Sequence, residues 1–425
     1  MNRLMNELIN TKWREQLLFY SIIAMMGTLF LGRVSLSVCM IAFLFFSFLH
    51  TGLKNHFLIF FSSPLLWSMS LLFFLPFISG IWTRDYNEWI NVLRIKLPLL
   101  LLPLAFAGSM NFSKKQWQWL AYIFIVLVTA GTIWSIFHYA INAPAIHEEY
   151  LKAKTITTPL QNDHVRFSWI VSITSLLTGW LCWKKRNQSK FIARVLFMTS
   201  IWLVIFLHIL AARTGLFSFY IIMLGITGWL VFRKMKPFYG TMLLIILLTL
   251  PVIAWFTLPT FHNRVKYFLY DFEYFKKSHY LPGTNDAIRG ISMNAGWHVM
   301  NAHPVTGVGF GDIDIETKNW YMVNYPQMTE TDKIYPSSEW LIYGAGCGWP
   351  GLLLFTFVML VPFIIKAKNR LLWWLLNATA AFSFLFDVGL EVQYGIFLYS
   401  FIILWWWKWL GTFQIVAAAA NQKIE

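Results

Sequence analysis

Apolar runs of about 20 residues alternate with short polar connections from Leu17 almost to the C-terminus. Wound as helices, such runs match the ~30 Å hydrocarbon core of a bilayer. Helices also satisfy their own backbone polar groups there. The pattern predicts twelve spans, at roughly 17–32, 34–51, 58–82, 92–109, 118–141, 166–183, 192–211, 214–232, 238–259, 341–365, 371–389 and 393–412. The predicted class is an all-α integral membrane protein.

The first stretch, "MNRLMNELINTKWREQ", is polar and amphipathic, and a full-length span follows without a small-residue cleavage site. It reads as a short helix on the cytoplasmic face rather than a removed signal peptide. Between the ninth and tenth spans lies a connection of about 80 residues, and loops longer than about 12–15 residues are usually functional or disordered. Its aromatic content and helix-like stretches predict a folded segment. The expected organisation is therefore an amphipathic segment 1–16, nine spans in 17–259, the long loop 260–340, three spans in 341–412 and a cytoplasmic tail 413–425.

Composition agrees with this picture. Hydrophobic residues make up 58% of the 425 positions and charged residues 12%, and the mean hydropathy is +0.56, which excludes a soluble protein. The net charge of +15 does not indicate nucleic acid, because the basic residues are scattered over short connections. With both termini in the cytoplasm, the inside connections hold Lys54, Lys114, Lys115, Lys184, Lys185, Arg186, Lys190, Arg194, Arg233, Lys234, Lys236, Lys366, Lys368 and Arg370. The outside ones, the longest excepted, hold Arg33, Arg84, Lys152, Lys154, Arg166 and Arg213. Fourteen against six selects this orientation by the positive-inside rule. Trp405, Trp406, Trp407 and Trp409 around Lys408 then read as an interfacial anchor. Cys39, Cys182 and Cys347 share no spacing and indicate neither a disulfide framework nor a metal site.

Two features fall on the outer side. Arg213, in "HILAARTGLF", sits at the junction of two membrane-length runs, where a cation is a functional candidate by default. Snorkelling to headgroups is the plainer alternative. Its neighbours Ala211, Ala212, Thr214 and Gly215 are too small to shield it, so a bulky ligand is expected to have access. Arg94 and Lys96 enter the fourth span two residues apart, about 200° around a helix, so they do not share a face and snorkelling suits at least one. Asp163, His164 and Arg166 open the sixth span.

The long loop is the second feature. "NDAIRGISMNAGWHVMNAHPVTGVGFGD" reads as a helix from Asn285 or Asp286 that ends before Pro304, with Arg289, Met293 and Trp297 on one face. Gly307, Gly309 and Gly311 follow without the strand and helix of a dinucleotide fingerprint, and fit a tight turn or close backbone approach. Asp312, Asp314 and Glu316 offer oxygen ligands, although a solvated acidic loop explains them as well. No metal site is assigned.

Outward-facing arginines able to make bidentate bonds to phosphate point to an anionic group at the outer leaflet. A diphosphate leaving group fits, because its departure needs positive charge where the phosphate becomes charged. ATP and nucleotide sugars are cytoplasmic, so a donor already carried on lipid is the economical inference.

"AARTGLFSFY", the Arg289 helix running into "WHVMNAHPVTGVGFGD", "SSEWLIYGAGCGWPGLLLF" and "FLFDVGLEVQYGIFLYSF" together resemble the O-antigen ligase and polymerase superfamily of membrane glycosyltransferases. The resemblance implies a GT-C-like helical architecture and an enzyme of the bacterial inner membrane, its long loop periplasmic. It implies transfer of a glycan from undecaprenyl diphosphate to lipid A-core or another glycan or protein acceptor, without cofactor or obligatory metal. The implied partners are that donor, the acceptor and membrane lipids, and not nucleic acid. Carried over by position, Arg213 and Arg289 hold the diphosphate, with Arg94, Lys96 and Arg166 as further donor-binding candidates.

One departure changes the picture. Where such ligases carry a His-Asn pair, with the His proposed to assist the acceptor hydroxyl, this chain has Ser337 and Ser338 followed by Glu339. An unactivated serine is no base at neutral pH. Glu339 is the first substitute and His303 or His298 the next, while Ser337, Ser338, His298, Gly309 and Asp312 are expected near the acceptor and loop. Asp387 and Glu391, four residues apart, are expected to share one helical face at the end of the eleventh span and to pair structurally. The leading function is O-antigen ligation, with repeat-unit polymerisation or protein O-glycosylation as the alternative of the same chemistry. A lipid-linked oligosaccharide transporter is the rival class, disfavoured because residues 1–210 and 211–425 show no repeat.

Overall fold

The computed structural model describes residues 11–152, 154–234, 237–277 and 280–421. Residues 1–10 of the amphipathic segment, Lys236 of the inside cluster and the last four residues of the tail lie outside the described residues. All regular structure among the described residues is helical. The chain divides into two compact units, one formed by Met1–Gln118 with Ile288–Glu425 and the other by Trp119–Ala287.

The first unit opens with α1 (Thr11–Thr28), α2 (Arg33–Phe48), α3 (Leu53–Ser62), α4 (Pro64–Ser79), α5 (Tyr86–Lys96) and α6 (Pro98–Ala107). α7 (Lys114–Ile141) leads into the second unit, which continues with α8 (Ala143–Tyr150), α9 (His164–Lys185), α10 (Lys190–Leu210), α11 (Arg213–Lys234), α12 (Pro237–Thr257) and α13 (Pro259–Lys277). α14 (Asp286–Ala302) begins in the second unit and runs into the first. There follow α15 (Ile313–Asn324), α16 (Glu339–Ile364), α17 (Arg370–Leu385), a 3-10 turn at Gly389–Glu391 and α18 (Gln393–Asn421).

Seven stretches among the described residues are long and apolar enough to cross a membrane: Tyr86–Ala107, Lys114–Ile141, His164–Lys185, Lys190–Leu210, Arg213–Phe232, Phe238–Thr257 and Glu339–Ile364. α2 and α3, bent by 112°, make an eighth if taken as one broken span. This is a multi-pass membrane protein. The difference from twelve has local causes. The run expected at 58–82 is cut at Ser63, held extended by the proline that follows, leaving α4 only 16 residues long. α17 is likewise 16 residues, because the helix stops at Leu385.

The long loop is folded, and α13, α14 and α15 occupy most of it. α14 covers the helix expected before Pro304. The glycine run behind it makes close approaches within the first unit. α16 is kinked at Cys347 and Gly348, and the freed carbonyls of Ala345 and Gly346 accept the N–H groups of Val308 and Gly309 at 2.9 and 3.0 Å. Gly309 has φ +89° and touches Thr83.

Three expectations need correction. The described part of the N-terminal segment is not a separate surface helix: α1 runs on to Thr28, and Arg14 is buried, donating to the carbonyls of Phe46, Ser47 and Ser109. Trp405, Trp406 and Trp409 are buried packing residues rather than an interfacial belt, and Trp405 and Trp409 continue an i,i+4 stack with Phe397 and Phe401. In the second unit the small residues beside Arg213 serve packing rather than access. Ala211 and Ala212 are buried, and a Cβ on Gly215 would lie 2.8 Å from the Ser168 backbone.

Candidate active site

In the second unit α10 ends at Ala211, which takes the left-handed conformation (φ 48°), and α11 starts at Arg213. Two hydroxyls fix this turn: Tyr150 donates to the Leu210 carbonyl at 2.9 Å and Thr260 to that of Ile209 at 2.7 Å. Arg213 Nη1 donates to Asp286 Oδ2 in an ion pair, and the Arg213 side chain keeps 26% of its surface exposed. Asp286 is the first residue of α14, and Asp271 of α13 caps that end. Its carboxylate accepts the N–H groups of Asn285 (2.9 Å), Asp286 (2.6 Å) and Ala287 (3.3 Å). A guanidinium is thus oriented by a carboxylate whose own helix start is fixed.

Arg166, third residue of α9, pairs with the capping Asp163 at 3.5 Å and is mostly buried. Arg264 on α13 is 7% exposed, and sequence reasoning missed it. The available signal was its place four residues after Thr260 and seven before Asp271, on one face of an amphipathic helix.

In the first unit Arg289 Nη1 donates to the Phe386 carbonyl at 3.1 Å. One turn on, Ser292 donates to Ser337 Oγ at 2.9 Å and accepts the Ser337 N–H at 3.1 Å. The Ser337, Ser338 and Glu339 stretch is therefore held against the N-terminal part of α14. All three residues are buried, and Glu339 has no exposed surface. Its Oε1 accepts the Leu390 N–H, whereas Oε2 has no hydrogen-bond partner among the described residues.

Lys96 does not snorkel. Its side chain is fully buried, with Nζ 2.5 Å from Glu391 Oε1, 3.0 Å from the Leu390 carbonyl and 5.0 Å from the Tyr343 ring centroid. Burial pushes the Glu391 carboxyl upward, against the pull of Lys96. Asp387 and Glu391 do not share a helical face: α17 ends before both, and Glu391 closes the 3-10 turn. Arg94 is exposed and lines an open, largely apolar pocket of about 280 Å³ with Ser37, Ile41, Leu97, Leu101 and Gln393.

Asp312 is not solvated. It is buried and accepts the N–H groups of Arg84 and Asp85 at 2.8 and 2.9 Å, while Asp314 pairs with Lys318 at 2.6 Å. No metal-holding group of His, Cys, Asp or Glu occurs among the described residues. His298 and His303 are exposed. His303 follows Arg289 by 14 positions, about 21 Å along a helix at 1.5 Å per residue, so the structure does not bring these two together.

Residues 198–356 match the family model described as O-antigen ligase. Over that segment, which is less than half of the chain, the sequence is similar to the O-antigen ligase family. The match runs from α10 into α16 and takes in Arg213, Arg289, Ser337 and Glu339. It supports a membrane glycosyltransferase of the O-antigen ligase and polymerase type. A search among curated proteins gives no match.

Proposed function

We propose that the protein transfers a glycan from undecaprenyl diphosphate to an acceptor hydroxyl at the periplasmic face of the inner membrane, with lipid A-core as the leading acceptor. The observation that carries this reading is Arg213. It is the first residue of a membrane-length helix, is held by Asp286 and lies inside the O-antigen ligase match. The twelve-span topology with residues 260–340 outside is part of the proposal, supported by the positive-inside count.

In the reaction the bond between the anomeric carbon and the diphosphate oxygen breaks as the acceptor oxygen attacks. The diphosphate leaves with the electron pair, and the acceptor proton passes to a base. Arg213 in its unit and Arg289 in its own are the proposed diphosphate ligands, since guanidinium forks bond phosphate oxygens in pairs. Arg166 and Arg94 are proposed to attract the anionic donor, and Lys96 to hold Glu391. Glu339 is the proposed base, with its unengaged Oε2 as the proton's destination. Its burial requires acceptor entry to open the Ser337–Ser338 edge.

A second reading, repeat-unit polymerase or protein O-oligosaccharyltransferase, is favoured by Ser337 and Ser338 standing where ligases carry His-Asn. The experiment is an acceptor comparison: native protein in detergent, one undecaprenyl-diphosphate glycan donor, and lipid A-core, free repeat-unit donor or acceptor peptide in turn. Product on lipid A-core alone establishes ligation. Product only on another acceptor replaces it, and no product on any acceptor contradicts the transferase reading.

A further inference from the structure

Arg264 raises a separate question. Buried cations are ordinarily paired, because leaving one without a partner is costly. Arg264 is 93% buried, yet no carboxylate lies within salt-bridge distance of it and its Nη1 has no hydrogen-bond partner among the described residues. Its Cζ lies 5.8 Å from the Tyr267 ring centroid, and its charge is felt by Arg213 and Asp286 without a hydrogen bond to either.

Its place in the second unit is well defined. Thr260, one helical turn earlier, bonds the Ile209 carbonyl, so this face of α13 packs against the turn that leads into Arg213. Tyr150, which fixes the other carbonyl of that turn, is already engaged through its hydroxyl and is not a partner for Arg264. The nearby acids are also committed. Asp286 is paired with Arg213, and Asp271 accepts three backbone N–H groups. Two guanidiniums therefore face the same turn with one available carboxylate, and Arg213 takes it.

We infer that Arg264 is a second anion-binding arginine behind Arg213, its free Nη1 donating to a phosphate oxygen of the lipid-linked diphosphate. The inference rests on the donor reading above and deepens it. Burial and the charge of Arg213 lower the Arg264 pKa to about 10, so the side chain stays cationic at neutral pH. A phosphate brings the missing negative charge, and a low-dielectric setting makes that contact stronger than it would be in water.

The test uses the full-length protein in detergent, with undecaprenyl diphosphate as probe and phosphatidylglycerol as a competing source of phosphate. Arg264→Met, Arg264→Lys and Arg213→Met are compared for probe affinity and thermal midpoint. Arg264→Met is expected to weaken probe binding at least tenfold with an unchanged or raised midpoint, because it removes an unpaired buried charge. Arg264→Lys, which keeps the charge without the fork, should fall between it and the native protein. Unaltered binding in Arg264→Met with binding lost in Arg213→Met overturns this inference alone. Unaltered binding in both overturns the donor reading as well. Unfolding of Arg264→Met makes Arg264 a structural cation and overturns the inference, and equal competition by phosphatidylglycerol overturns the assignment to diphosphate.

Discussion

Lys96 and Glu391 form an ion pair 2.5 Å long that joins α5 to the 3-10 turn before α18, with the lysine side chain wholly buried. Removing one partner of such a pair strands the other charge, at roughly 3–5 kcal/mol. Lys96→Met is expected to destabilise by that order, and Lys96→Met with Glu391→Leu to recover most of the loss. Denaturation in detergent checks both. A Lys96→Met protein of native stability that no longer binds donor would return Lys96 to the diphosphate ligands.

Asp271 is the side chain that starts α14. Asp271→Ala removes the acceptor for three backbone N–H groups, and loss of a single cap typically costs about 1–2 kcal/mol. The expected outcome is fraying confined to the start of α14, read as faster amide exchange at residues 285–287 with little change in α9 or α10. Exchange that stays slow there would show that the cap is redundant.

Much of this molecule was legible in its sequence, because hydropathy reports burial in lipid and helix signals report local backbone. The bounds of α9, α10 and α11 differ from the expected runs by about two residues, and α14 starts and stops at the expected acid and before the expected proline. What hydropathy does not carry is backbone interruption. The extended Ser63 before Pro64 and the kink at Cys347 and Gly348 divide or bend apolar runs without changing their polarity. Partner choice was also hidden. Nothing in "LRIKLP" tells that Lys96 meets an acid nearly 300 positions later, or that Asp312 caps a turn at residues 84 and 85. Small residues beside Arg213 read equally well as access or as close packing, and only Ser168 against Gly215 decides between them.

Two glycines with positive φ provide an internal comparison. Gly309 (φ +89°) would place a Cβ 2.2 Å from Thr83 Oγ1, whereas Gly283 (φ +82°) meets nothing within 4 Å. Gly309→Ala combines backbone strain of about 1–3 kcal/mol with a clash, and Gly283→Ala bears the strain alone. The thermal midpoint of Gly309→Ala should therefore fall clearly further. Equal losses would mean that the approach to Thr83 relaxes without penalty.

Glu339 separates chemistry from binding. Glu339→Gln keeps the size of the side chain but cannot take a proton, so transfer should drop by about 10²–10⁴-fold, the usual contribution of a general base. Affinity for the lipid diphosphate should stay within about threefold of native, a difference below 1 kcal/mol. Single-turnover transfer with parallel donor titration checks both, and native transfer rates in Glu339→Gln would remove it from the reaction.

The most direct test of the central claim is glycan transfer from purified undecaprenyl-diphosphate donor by the native protein, Arg213→Ala and Arg289→Ala, each verified as folded. The account predicts product with the native protein and a loss of at least 100-fold in each variant, accompanied by weakened donor binding. Native rates in either variant would contradict its role at the diphosphate, and native rates in both would contradict the account.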